Sequence, residues 1–135
     1  MQNNLKHEFR RWFQQAKFDL KSAVDSLNNT NYEWACFQAQ QSAEKTLKAF
    51  LYLNGEDVMT THSVFTLSNV CKKYSPEFEK IEKQSKELDK YYIPTRYPNG
   101  LPDEIPHIFY TKEDAEKCVS YAREILTIVE KLTNL

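Results

Sequence analysis

The stretch YYIPTRYPNGLPDEIPH, from Tyr91 to His107, gathers more chemistry than any other part of the chain. It holds Tyr91, Tyr92, Tyr97, Arg96 and His107, four of the five prolines (Pro94, Pro98, Pro102 and Pro106) and one of the two glycines, Gly100. Each proline fixes φ and biases the residue before it toward extended geometry, so the segment reads as a stiff strap. A strap of this kind holds Arg96 between Tyr92, Tyr97 and Pro98 with few conformations to lose. A guanidinium so held can grip a phosphate with two parallel bonds, and a neighbouring ring can stack on a base. The alternative is structural: the tyrosines plug the open end of a helical assembly and Arg96 pairs with a carboxylate.

A second group sits in QQSAEKTLKAFLY. Glu44 and Lys48 are four residues apart and Lys45 lies alongside, a spacing that pairs opposite charges across one helical turn. The apolar positions of that segment fall largely on another face. These three residues are therefore expected to meet solvent, a groove or a partner, and a phosphate-facing patch is the sharper form of that expectation. His62 stands just before a short helix, as a neighbour of its cap. His107 lies near Asp103 and Glu104, but no His or Cys pair has ligand spacing, so no metal is expected. Phosphate-cradling glycine loops, dinucleotide fingerprints and a Gly-x-Ser-x-Gly elbow are all absent from the sequence, and no cofactor is implied.

The elements that must carry these groups are helices. Phe9, Trp12, Phe13, Ala16, Leu20, Ala23, Val24 and Leu27 recur at steps of three and four, predicting a first helix from about Lys6 to Leu27. Asn31 is placed to cap a second, from about Tyr32 to Leu53, whose inner stripe is Cys36, Ala39, Ala43, Leu47, Phe50 and Leu51, with Gly55 positioned to end it. A short third helix carries Val64, Leu67, Val70 and Cys71. Ser75 and Pro76 open a fourth, burying Phe78, Ile81 and Leu88 and ending before Pro94. Thr111 and Asp114 have capping-box spacing at the head of a last helix, with a stripe of Ala115, Cys118, Val119, Ala122, Ile125, Leu126, Val129 and Leu132. The expected fold is all-α: residues 1–135 as a single domain, an antiparallel up-and-down bundle of about five helices with a Pro-rich loop before the last.

Composition agrees with one packed domain. Of the 135 residues 41% are hydrophobic and 27% charged, and the net charge is −1. Nucleic-acid binding would therefore rest on a local patch rather than on overall charge. The N-terminus lacks the apolar core of a signal peptide and no run is long enough to cross a bilayer, so no membrane partner is expected. Three unpaired-looking cysteines, Cys36, Cys71 and Cys118, fall in apolar helical positions, as reduced thiols of a cytoplasmic protein do.

YEWACFQAQQSAEKTLKAFL, the later His62–Ser63 pair and YYIPTRYPNGLPDEIP together resemble the HEPN family, named for higher eukaryotes and prokaryotes nucleotide-binding. The likeness runs from Phe9 to Leu132. It is strongest to the short, free-standing prokaryotic members and extends to the C-terminal domain of sacsin. The resemblance implies a helical homodimer with a cleft between protomers. It also implies a nucleotide or RNA ligand and a partnership with a small nucleotidyltransferase in a two-component, toxin–antitoxin-like system. On this reading the nucleotide-binding candidates are Arg96, Tyr97, Tyr92, Lys45, Lys48 and Glu44. Family members with nuclease activity carry an arginine and, four to six residues later, a histidine. Here ten residues separate Arg96 from His107, which if extended would span up to ~30 Å. The alternative reading is a metal-independent endoribonuclease toxin using Arg96 and His107 as catalytic residues.

Overall fold

The structure, a computed structural model, describes residues 2–57 and 59–134. Six α-helices follow one another: α1 Gln2–Asn28, α2 Tyr32–Leu53, α3 Val64–Cys71, α4 Glu82–Leu88, α5 Pro106–Phe109 and α6 Lys112–Thr133. The described residues contain no strand. The chain is an all-α bundle, with α2 at its centre. α2 packs against α1, α6, α3 and α5, so most of its circumference is covered.

The apolar stripes read from the sequence make the core. Phe9, Phe13, Ala16, Leu20 and Ala23 of α1 are buried against α2, while Trp12, Val24 and Leu27 are half-buried. Cys36, Ala39, Ala43, Leu47, Phe50 and Leu51 of α2 are all buried, as are Ala115 through Val129 at the expected positions of α6. Leu132 is the exception: at the fraying end of α6 it is exposed. The largest wholly buried side chains, including Phe78, Leu47, Leu51, Leu67, Ile81, Leu88 and Ile125, each contribute roughly 1.5–3 kcal/mol of apolar burial. Cys36, Cys71 and Cys118 are free and buried. Burial holds the Cys71 and Cys118 thiols well above their ordinary range, so both stay protonated.

Local signals explain most boundaries. Thr111 accepts a hydrogen bond from the Asp114 backbone N–H at 3.2 Å, and Asp114 accepts one back from Thr111 N–H at 3.0 Å, a complete capping box. Gly55 follows α2 at φ +85°, where a side chain would be strained. Ser75 accepts from Glu77 N–H and Pro76 takes the first position of the next element. Asn31 does stand at the head of α2, but its side chain makes no capping bond.

One expectation needs correction. The fourth helix is not continuous: Pro76–Ile81 and Asp89–Tyr91 wind as tighter 3-10 turns on either side of α4. The proline strap, whose path the sequence left open, folds back on itself. Arg96 N–H closes a turn onto the Ile93 carbonyl at 3.0 Å, Pro98–Gly100 forms another 3-10 turn, and Pro106 starts α5. Pro94, Pro98 and Pro106 sit at the starts of turns or of α5, where a missing N–H is not needed, so their rings stiffen turns rather than drawing the chain out. Gly100 makes the fold-back possible: a Cβ there would lie 2.8 Å from Pro94 Cα.

Candidate anion site on the second helix

Five side chains of α2, Glu33, Phe37, Gln40, Glu44 and Lys48, recur at steps of four and three and so share one face. From Glu33 to Lys48 this face runs about 22 Å along the axis. It is the polar side of an otherwise buried helix, and the segments outside the long helices fold down onto it.

At its centre stands Arg96. The guanidinium carbon lies 4.7 Å from the centre of the Phe37 ring and 5.2 Å from those of both Tyr92 and Tyr97. Phe37 and Tyr92 pack on each other with centres 6.1 Å apart, and Trp34 meets the Phe37 ring edge-on at 6.0 Å. Three aromatic rings thus frame one cation. Cation–π attraction holds the guanidinium in place without neutralising it. Among the described residues Arg96 has no carboxylate partner, and its Nε is buried without a hydrogen-bond acceptor. The expectation that Arg96 pairs internally with a carboxylate is therefore overturned.

Glu44 and Lys48 also differ from expectation. Neither faces solvent: their side chains are 5% and 6% exposed and form an ion pair of 3.0 Å. The apolar stripe does lie on another face of α2. What the sequence hides is that the polar face is covered too, by Trp12 of α1, whose ring lies 5.9 Å from the Lys48 ammonium, and by His62. Glu44 is the hub of a buried network. Besides Lys48 it accepts from Gln40 and Gln41, both at 3.5 Å, and meets His62 Nδ1 at 3.2 Å. Lys45 turns toward α1 instead, and its ammonium pairs with Asp19 at 2.6 Å. It does not join the Arg96 cluster.

His62 is the residue whose position the sequence did not disclose. The cap of α3 is Ser63, which accepts from Thr66 N–H at 3.0 Å. The His62 ring stacks on Tyr92 at 4.9 Å and 20°, so Tyr92 carries the imidazole and the Arg96 guanidinium on one ring. The signal in the sequence was faint: a histidine in front of a cap residue has many bland explanations.

His107 comes to the same face by a different route. α5 sets its Nδ1 3.0 Å from Glu33, one helical turn from Phe37. The folded strap thus brings Arg96 and His107 onto successive turns of α2, in place of the wide separation an extended strap would impose. Asp103 and Glu104 are exposed and join neither histidine. No group of three or more metal-ligating side chains forms among the described residues. Several open grooves are lined by described residues, none of them by Arg96, including two that carry basic side chains beside apolar ones. One follows α1, lined by Arg11, Trp12, Phe18 and Lys45; the other lies between Pro76–Ile81 and α6, lined by Lys80 and Arg123.

The fold is a six-helix bundle whose central helix carries, packed against Phe37, an arginine with no carboxylate partner among the described residues. The comparisons with known proteins make the class specific. The HEPN domain profile matches residues 9–132, nearly the whole chain, and the chain belongs to the HEPN family. It is 32% identical to a Methanocaldococcus jannaschii protein named "Putative toxin MJ1304", covering 88% of this chain and 84% of that one. Among solved structures it is similar to TT1696 of Thermus thermophilus, with 39% identity, a TM-score of 0.81, and coverage of 91% of this chain and 96% of the other. It is also similar to ST0689, described as an archaeal HEPN homologue, with 33% identity, a TM-score of 0.77 and coverage of 92% and 96%. No helix among the described residues is long and apolar enough to cross a membrane.

Proposed function

We propose that this protein binds the phosphate of a nucleotide or of RNA at Arg96. On this reading it acts as a homodimer and as one half of a two-component, toxin–antitoxin-like system whose other half is a small nucleotidyltransferase. The observation that carries the binding reading is the state of Arg96. A guanidinium framed by three rings, with no carboxylate and with an unsatisfied buried Nε, leaves a polar group in want of an acceptor. A phosphate supplies that acceptor and the counter-charge together. Tyr97, half-exposed beside it, offers a face on which a base can stack. Lys48 and Glu44 contribute as the buried frame that holds His62 and Tyr92. The system-level part rests on membership of the HEPN family and on the toxin name carried by the M. jannaschii relative.

The test is a calorimetric titration with AMP, ATP, GTP and a short RNA. Arg96→Ala should lose a charge-assisted bond worth ~1.5–3 kcal/mol, a roughly ten- to hundredfold loss of affinity. Arg96→Lys should recover only part, because an ammonium has no planar fork. Unchanged binding by Arg96→Ala rejects the site.

One observation favours a second reading, metal-independent cleavage of RNA by Arg96 with His107. Their anchors, Phe37 and Glu33, are one turn apart on α2. A histidine can move the proton of a ribose 2′-OH while an arginine stabilises charge on the phosphate. RNA cleavage in the presence of chelator, lost in His107→Ala, is the outcome this reading requires.

A further inference from the structure

His62 is pinned from both sides. Its backbone carbonyl accepts from Gln40 Nε2 at 3.0 Å and its Nδ1 lies 3.2 Å from Glu44, both residues of α2. Next to it, Ser63 Oγ and the Val64 N–H donate to Asp89 at 2.7 and 2.6 Å. Asp89 opens the 3-10 turn that ends at Tyr91, and Tyr92 follows at once. The residues around His62 thus tie α2 to the segment that bears Tyr92. Glu44, paired with Lys48, is ionised and only accepts, so Nδ1 carries hydrogen and this bond sets the direction of the imidazole.

Neither the core nor the cap of α3 requires this arrangement. The His62 side chain is 55% exposed, and the capping bond belongs to Ser63. Ordering an exposed side chain costs rotamer freedom. What the ordered ring meets is Tyr92, with centres 4.9 Å apart and planes 20° from parallel. Of the three rings around Arg96, Phe37 is carried by the backbone of α2 and Tyr97 is half-exposed. Tyr92 stands outside the α-helices, and among the described residues its hydroxyl makes no hydrogen bond. Besides Arg96 itself, two aromatic contacts orient its ring. Phe37 lies at 6.1 Å and 31°, and His62 is both closer and more nearly parallel.

We infer that His62 is a positioning residue of the Arg96 site: it fixes the Tyr92 ring, and through that ring the guanidinium, without itself touching the ligand. The inference rests on the phosphate-binding reading of Arg96 and adds the device that keeps Arg96 ready. Every link from Glu44 to His62, from His62 to Tyr92 and from Tyr92 to Arg96 is a direct contact. Without the imidazole the Tyr92 ring gains room to turn and the frame loosens. Arg96 then has more conformations to lose when it grips a phosphate. Loss of one aromatic stack corresponds to about a three- to tenfold drop in affinity.

Two readouts on one set of variants test this. His62→Ala removes the ring and its bond, His62→Asn keeps an N–H for Glu44 without the ring, and His62→Phe keeps a ring without the bond. Glu44 is left in place, because its loss strands Lys48. The first readout needs no ligand. It is hydrogen exchange at Arg96 Nε, followed by NMR, with the signal identified by its absence from Arg96→Ala. This hydrogen sits on a buried atom, so its exchange reports how often the frame opens. The second readout is the dissociation constant of AMP. His62→Ala and His62→Asn should speed the exchange and weaken AMP binding, each by about three- to tenfold. His62→Phe should restore most of both. Unchanged exchange, unchanged affinity, or no recovery in His62→Phe overturns the inference. If AMP binding survives in all three variants and is lost only in Arg96→Ala, the phosphate reading stands without it. If the parent does not bind AMP, the phosphate reading fails, and the exchange rates alone decide whether His62 positions Arg96.

Discussion

Replacing Glu44 by leucine removes the acceptor at the centre of the network on α2. Lys48 would be left with its ammonium buried and unpaired, and Gln41 and His62 would each lose a partner. Breaking a buried ion pair from one side costs about 3–5 kcal/mol, because an uncompensated charge remains in a medium that solvates it poorly. For 135 residues the unfolding entropy is about 0.28 kcal/mol/K, so the melting temperature should fall by about 11–18 °C. Lys48→Met should cost less than Glu44→Leu, since Glu44 keeps the donors of Gln40, Gln41 and His62. The double variant replaces both charges by apolar groups of similar length and should return to within about 1 kcal/mol of the parent. Urea unfolding of all four proteins gives the coupling between the two sites directly. Single-variant losses below about 1 kcal/mol are what an exposed pair shows, and would refute the claim that this face is dry.

Other perturbations have equally definite outcomes. Gly100→Ala puts a methyl group against Pro94; it should cost about 1–3 kcal/mol by overpacking and weaken phosphate binding with it, read from melts and titrations. Stability should begin to fall as pH rises past about 8.5, where the Cys71 and Cys118 thiols ionise only in the unfolded chain, and should fall further from pH 10 toward 12. Burial pushes Tyr110 up to about 12 and Tyr91 up as well. Both therefore keep their protons when folded and lose them near pH 10 when unfolded, so alkali favours the unfolded chain. Tyr110→Phe should flatten that fall in urea midpoints measured at pH 9, 10 and 11. Sedimentation equilibrium at micromolar concentration should give a dimer of the 16.0 kDa chain. Exposed Trp34, Ile105, Ile108 and Phe109 are the apolar surface such an assembly has to cover, and a monomer across that range would sink the dimer.

The helices were legible because their information is local. Eight apolar positions on α6 and a capping box at Thr111 and Asp114 need no tertiary context, and only Leu132, at the frayed end, fell outside the core. The site was harder to read because it depends on what lies over α2. Periodicity shows that Glu44 and Lys48 are off the apolar stripe, but a central helix is covered on its polar side too, and only the packing of α1 and of the segment around His62 reveals it. Arg96 and its tyrosines could be singled out from composition and spacing. The path of the strap could not, since it turns on Gly100 meeting the backbone of Pro94, a contact between two turns. The same fold-back sets His107 against Glu33.

The most direct measurement of the central claim is a crystal structure of the protein soaked with AMP. The account predicts phosphate density within hydrogen-bond distance of Arg96 Nε, about 2.7–2.9 Å, with the Phe37, Tyr92 and Tyr97 frame unchanged around it. Phosphate bound instead in the groove of Lys80 and Arg123, with Arg96 Nε still lacking an acceptor, would contradict it.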